Sequence, residues 1–198
     1  MLVPALIVLG GYLLGSVASA IVVARLLGLP DPRTVGSRNP GATNVLRTGG
    51  RGAAALTLAG DMLKGLLPPL AALALDGRPA VAAAAAVAAF LGHLYPVFFG
   101  FRGGKGVATT LGALLGLSWP AGLATVATWL LVAAAFRYSS LAAIVAAVLA
   151  PGWVWWLARE PAYVAATAFM AVLLLWRHRG NIARLLAGTE DRIGSRKS

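Results

Sequence analysis

A chain of 198 residues that is 59% hydrophobic and only 12% charged is too apolar for a soluble domain, and its mean hydropathy of +0.81 puts it in the membrane class. It contains no cysteine, which excludes a disulfide framework, a thiol nucleophile and a cysteine-based metal site. In a soluble protein the net charge of +11 would point to nucleic acid; here it reads as basic loops on one side of a membrane and as sites for phosphorylated substrates, with no nucleic-acid partner expected.

A membrane-spanning helix needs about 20 largely apolar residues. Runs over 2–28, 53–75, 79–99, 106–118, 119–136, 138–158 and 160–177 reach or approach that length. The first starts at Met1–Leu2 without a basic lead-in, so no removable signal peptide is expected. The fourth is short, tilted or buried among its neighbours, and stops at Ser118-Trp119-Pro120, where proline removes a donor and blocks continuation. The expectation is an all-α polytopic membrane protein, one domain over 1–198 with seven transmembrane helices, or five or six if the short runs merge. Arg25, Arg33, Arg38, Arg47, Arg51, Arg102, Lys105, Arg137, Arg177, Arg179, Arg184, Arg192, Arg196 and Lys197 then share one side. Only Arg78 and Arg159 fall on the other, and Lys64 lies inside a span. The basic-side rule puts the N-terminus outside and the C-terminus in the cytoplasm. Small residues spaced by four, Gly11/Gly15 and Gly112/Gly116, read as helix-packing contacts.

Three polar clusters fall on the basic side: the stretch from Asp31 that includes "GSRNPGATNVLRTGG" (36–50), "GHLYPVFFGFRGGKGVATTLG" (92–112) and "HRGNIARLLAGTEDRIG" (178–194). The first is over twenty residues long, more than a tether needs. Anion binding is the chemistry they share. Arg47, Lys105, Arg102, Arg38 and Arg184 supply cationic donors, and arginine holds phosphate bidentately. The glycines of "RGGKG" let backbone N–H groups turn inward as a nest, and the helix that follows offers its N-terminus to an anion. Ser37, Asn39, Asn44 and Asn181 are neutral groups able to orient hydroxyls or phosphate oxygens. Two phosphate-sized sites can be lined from this set.

Other readings weigh less. "GFRGGKG" is one residue short of a nucleotide-binding P-loop and has Gly106 where a magnesium-binding hydroxyl belongs. Asp61 and Lys64 can pair on one helix face, as a packed interior or as a functional pathway. His93 and His178, with no carboxylate cluster nearby, make a poor metal site; no metal and no cofactor is expected. A His-x-x-x-x-Asp acyltransferase signature is absent, since Phe98 follows His93 and Ala183 follows His178 at that spacing. The chemistry here must therefore use an activated donor, with positioning and charge stabilisation in place of strong acid–base groups. A charged tail from about Gly188 is expected to be partly disordered.

Together with "ALTLAGDMLKG", these clusters resemble, in order and over nearly the whole chain, those of the bacterial acyl-phosphate:glycerol-3-phosphate acyltransferase (PlsY-type) family. The resemblance implies a seven-helix enzyme of the bacterial cytoplasmic membrane, its site open to the cytoplasm. It would move a fatty acyl group from acyl phosphate to the 1-hydroxyl of glycerol 3-phosphate, giving lysophosphatidic acid and phosphate. Ser37, Arg47, Lys105, His178 and Asn181 match the family's important polar positions, and Gly103, Gly104 and Gly106 its phosphate-binding loop. Arg38 departs from it, standing where many members have glycine, which leaves open whether that turn needs positive φ. His178 is then a phosphate donor or the base, unless a substrate phosphate takes the proton. Besides the two substrates the partners are membrane lipids, and a monomer suffices. A transporter of a phosphorylated metabolite is the alternative, weakened by one-sided clustering and the lack of an inverted repeat.

Overall fold

The computed structural model describes residues 2–194; Arg196 and Lys197, counted above with the basic tail, lie outside the described residues. Among the described residues there are nine α-helices, one 3-10 turn and no strand. They are α1 (Leu2–Gly15), α2 (Ser19–Leu26), α3 (Ala42–Leu75), α4 (Pro79–Leu94), α5 (Val107–Leu117), α6 (Trp119–Phe136), α7 (Ser139–Leu157), α8 (Pro161–Arg177) and α9 (Arg179–Leu186), with the 3-10 turn at Val97–Phe99. All-helical structure is what a bilayer demands, because every backbone N–H and C=O must find its partner within the chain.

The helices α3, α6 and α7, and Pro79–Phe99, are long and apolar enough to cross a membrane. The pair α1 and α2, bent by 45°, adds a fifth if it is one broken span. This is a multi-pass membrane protein. By length and composition alone four or five of the expected seven spans qualify; α5 has 11 residues and α8 has 17, or about 16 and 25 Å at 1.5 Å per residue.

Two boundaries differ from the sequence reading for identifiable reasons. The run 2–28 is interrupted at Ser16-Val17-Ala18, where the side chain of Lys64 donates to the Val17 carbonyl at 2.8 Å and so satisfies a backbone group the break leaves unpaired. The stretch from Ala42, expected as loop, is already helical: α3 starts after Gly41 and carries a kink at Gly50 (φ 83°), which only glycine adopts cheaply. The loop proper is therefore 27–41.

Apolar association gains nothing from water in a bilayer, so close packing of small residues has to hold the bundle together. At the centre α4 buries Ala82, Ala85, Ala86, Ala89 and Phe90 completely. A Cβ on Gly15 of α1 would collide with the Ala89 backbone, and one on Gly112 of α5 with that of Met62 in α3. Both glycine pairs were expected as packing contacts, and both serve that way. Large side chains such as Leu6, Leu131 and Val172 face outward, where lipid tails solvate them.

Asp61 and Lys64 form an ion pair of 2.8 Å with both side chains under 5% exposed. The same Asp61 oxygen lies 3.5 Å from His93 Nδ1. Since Lys64 also caps the α1–α2 break, this pair ties three helices together inside the bundle.

The chain runs up and down, bringing the ends of α2, α4, α6 and α8 together with the starts of α3, α5, α7 and α9. Contacts across that end confirm it: Thr43 meets Ser139 at 3.2 Å, and Arg33 donates to the Phe99 carbonyl at 3.1 Å.

Candidate active site

The glycine loop is shaped by how α4 ends. Tyr95-Pro96 stops the helix, and the chain turns back so that Gly103 N–H donates to Leu94 O and Gly104 N–H to His93 O, each at 3.2 Å. A Cβ on Gly103 would strike those carbonyls, and one on Gly104 the His93 ring. The expected nest of inward N–H groups is thereby corrected. Both amides are spent on α4, and these two glycines permit close approach. Gly106, at φ 91°, leads into α5, whose first N–H groups are left for an anion.

Lys105, the next residue, reaches out of this loop and donates to Asn181 Oδ1 at 2.5 Å. Asn181 is buried on α9 and passes the contact on, donating to Glu190 Oε1 at 2.6 Å. Ser140 at the start of α7 donates to the same oxygen at 2.7 Å, and Arg184 Nε to the other at 2.7 Å. Burial works to raise the Glu190 pKa, but the hydrogen bonds from Ser140, Asn181 and Arg184 outweigh it and hold the carboxyl below its usual value. Burial also dominates at Lys105. Glu190 opposes it, while Arg184, Arg177 and Arg47 repel the ammonium, and its pKa falls to about 8.

Arg47, one turn of α3 beyond Asn44, is one-third exposed and pairs with Asp191 at 3.0 Å. Arg47, Lys105, Asn181 and Arg184 are thus strung together at one end of the bundle by the carboxylates of Glu190 and Asp191. The described part of the tail, expected to be partly disordered, is bonded into the site over residues 189–193, with Ile193 N–H donating to Arg137 O at 2.6 Å; residues 195–198 lie outside the described residues.

His178 sits at the junction of α8 and α9, and its buried ring has Nδ1 at 2.8 Å from Leu174 O. A carbonyl only accepts, so Nδ1 carries the hydrogen and Nε2 presents a lone pair. Burial first, then the charge of Lys105, keep this imidazole neutral, lowering its pKa to about 4.

The first cluster meets the second through Pro40, whose carbonyl lies 3.2 Å from where a Gly104 Cβ would be. Asn44 does not face an open site. Its buried amide accepts from Ser37 N–H at 2.8 Å and donates to Pro32 O at 2.9 Å and Val35 O at 3.1 Å, so it shapes the loop. Ser37 is exposed, and among the described residues its hydroxyl makes no hydrogen bond. Arg38 is exposed with φ 56°: the turn does require positive φ, at a cost glycine would avoid. Asn39 is half-buried, and Arg102 is exposed with its side chain unpaired among the described residues. No group of three or more His, Asp or Glu there could hold a metal ion.

Glu190, Asp191, Ser140 and Arg177 were missed from sequence. Arg177 Nη2 donates at 3.0 Å to the carbonyls of both Gly103 and Gly104. Nothing local distinguishes it from a basic residue marking a helix end.

Comparison with known proteins places the chain in a family. Residues 5–188 match the family model for glycerol-3-phosphate acyltransferase. A glycerol-3-phosphate acyltransferase of Thioalkalivibrio sulfidiphilus is 60% identical over 196 residues, covering 99% of this chain and 97% of its own. One of Methylococcus capsulatus is 60% identical over 186 residues, 94% of each chain. The crystal structure of PlsY (YgiH), an integral membrane glycerol 3-phosphate acyltransferase, in its glycerol 3-phosphate form, superposes with a TM-score of 0.92 at 41% identity and covers 96% of both chains. Its lysophosphatidic acid form gives 0.90 at 38% identity, covering 96% of this chain and 95% of that one. The chain belongs to the glycerol-3-phosphate acyltransferase family.

Proposed function

We propose that this protein transfers a fatty acyl group from acyl phosphate to the 1-hydroxyl of glycerol 3-phosphate, the first acylation of phospholipid synthesis. The observation that carries the site reading is the string Lys105–Asn181–Glu190–Arg184 beside Arg47–Asp191: cations from three distant segments held together by carboxylates, where two phosphates would find the same partners. Both substrates are phosphorylated, one water-soluble and one lipidic, which suits a polar site at the end of a membrane bundle.

In this reading Arg47, Lys105, Arg184 and the α5 N-terminus hold phosphates, with Arg38 and Arg102 adding charge at the exposed rim. Ser37 Oγ, Asn39 and Asn181 orient glycerol 3-phosphate. The hydroxyl oxygen attacks the acyl carbonyl carbon, the bond from that carbon to the bridging phosphate oxygen breaks, and the departing phosphate takes the electron pair. The hydroxyl proton ends on a phosphate oxygen. His178, with a pKa near 4, is a weak base but a well-placed acceptor, so it aims the hydroxyl; a phosphate, with its second pKa about 6, is the better proton acceptor. Lys105 offsets the charge that develops on the oxyanion and leaving group.

The protein lies in the bacterial cytoplasmic membrane as a single domain, with the N-terminus outside, the site and the C-terminus in the cytoplasm, and α5 and α8 completing seven crossings as short helices. Basic residues gathered at one end support that orientation. The test is lysophosphatidic acid formation by protein purified in detergent, with acyl phosphate, acyl-CoA and acyl carrier protein as parallel donors. Acyl phosphate is expected to work best. Faster turnover with acyl-CoA would overturn the donor assignment, and no product at all would favour transport.

A further inference from the structure

Arg177 stands outside the set that faces substrate, yet it makes a contact no other side chain among the described residues makes. Its Nη2 donates at 3.0 Å to the carbonyls of Gly103 and Gly104, the two residues immediately before Lys105. The guanidinium also stacks over the Tyr95 ring at 5.9 Å, and Tyr95 O in turn accepts from Tyr12 OH at 2.8 Å. With Gly103 and Gly104 N–H bonded to α4, the peptide groups of the loop are held from both sides: donors by α4, acceptors by α8.

The far side of the same helix junction carries the partner of Lys105. Arg177 is the last residue of α8, and Asn181 lies in the first turn of α9. One short segment therefore fixes both the loop on which Lys105 stands and the amide to which it donates. We infer that Arg177 is the positioning residue for Lys105, clamping the Gly103–Gly104 carbonyls so that the ammonium meets Asn181 and the substrate phosphate in register. This rests on the reading that Lys105 serves turnover. Lysine at 177 keeps the charge but lacks arginine's planar fork, so it cannot brace two carbonyls and stack on Tyr95 equally well.

The test is a double-mutant cycle in purified full-length protein, measuring kcat/KM with acyl phosphate and glycerol 3-phosphate for wild type, Arg177→Gln, Arg177→Lys, Lys105→Ala and each pair. Displacing a catalytic group by about 1 Å costs on the order of 100-fold, so Arg177→Gln is expected to lose about that much and Arg177→Lys about tenfold. In the Lys105→Ala background the same substitutions should cost less than about threefold, since residues acting through one another are not additive. The charged groups around Lys105 are Glu190, Arg184, Arg177 and Arg47, and removing the Arg177 charge should move the alkaline limb of kcat/KM to higher pH in Arg177→Gln but not in Arg177→Lys. Equal losses in both Lys105 backgrounds, or wild-type kcat/KM in Arg177→Gln, would overturn the inference. If the glutamine variant does not fold, the lysine variant's cycle decides alone. Retention of turnover by Lys105→Ala itself would instead sink the site reading on which this rests.

Discussion

Two lysines of this protein reach opposite ends through similar surroundings. Lys64 is buried between an aspartate on its own helix and the Val17 carbonyl at the break between α1 and α2. Lys105 is also largely buried, but its partner is a neutral amide, and the carboxylate behind that amide belongs to a C-terminal segment. The first lysine has its charge balanced by a carboxylate in direct contact, inside the bundle and away from the loops. The second has only a neutral amide in contact and a compensating charge one residue removed. Burial alone does not mark a functional cation; what matters is whether its charge is already matched by a partner in contact.

The comparison can be broken at either lysine. Lys64→Met strands the Asp61 carboxylate and the Val17 carbonyl and is expected to destabilise the fold by about 3–5 kcal/mol. Thermal unfolding in detergent reads this, and adding Asp61→Leu should restore most of the loss. Lys105→Ala should leave the unfolding midpoint nearly unchanged while lowering kcat by about 100- to 1,000-fold, as for loss of one transition-state donor. A stability loss at Lys105 matching that at Lys64 would erase the distinction.

The pH profile sharpens it. Lys105 is held at about 8, so its charge is present below that pH and disappears above it. Activity should therefore fall as pH rises through about 8, roughly tenfold per unit, and Lys105→Arg should remove that limb because a guanidinium stays charged. Glu190 has the opposite sign. Its carboxyl is depressed below the usual 4.5, so its stabilisation is present above that value and is lost as pH falls through the folded pKa. The smallest effect is expected for Asp191→Asn: Arg47 and Asp191 are each one-third exposed, and such pairs contribute about 0–1 kcal/mol. Turnover should change less than about twofold, since substrate phosphate replaces the aspartate on Arg47.

Much of this was legible in the chain. Hydropathy marked the helices α6 and α7 almost to the residue, because apolar runs bounded by proline or charge leave little freedom. Lys105 and Asn181 stood out as polar groups in glycine-rich surroundings, and they do touch. The break at Ser16-Val17-Ala18 was invisible because those residues are acceptable in a helix; only Lys64, 47 positions away, makes the open carbonyl tolerable. Glu190 read as a solvated tail charge and Arg177 as a topology marker. Each owes its place to partners that sequence spacing does not reveal: Ser140 lies 50 positions from Glu190, and Gly103 lies 74 from Arg177. The nest was misjudged for a similar reason. Glycine spacing shows that a backbone can turn, and the end of α4 decides where its amides point.

The break between α1 and α2 also bears on how the protein is made. A ribosome that has delivered only the first forty residues has released a bent helix pair whose open carbonyl has no ammonium to meet it, in a solvent that offers no substitute. That segment must wait, in the translocon or beside another protein, until the third helix arrives with Lys64. Assembly of the N-terminal half is therefore obligatorily paired, and a chain truncated before residue 64 should be cleared by membrane proteases instead of accumulating.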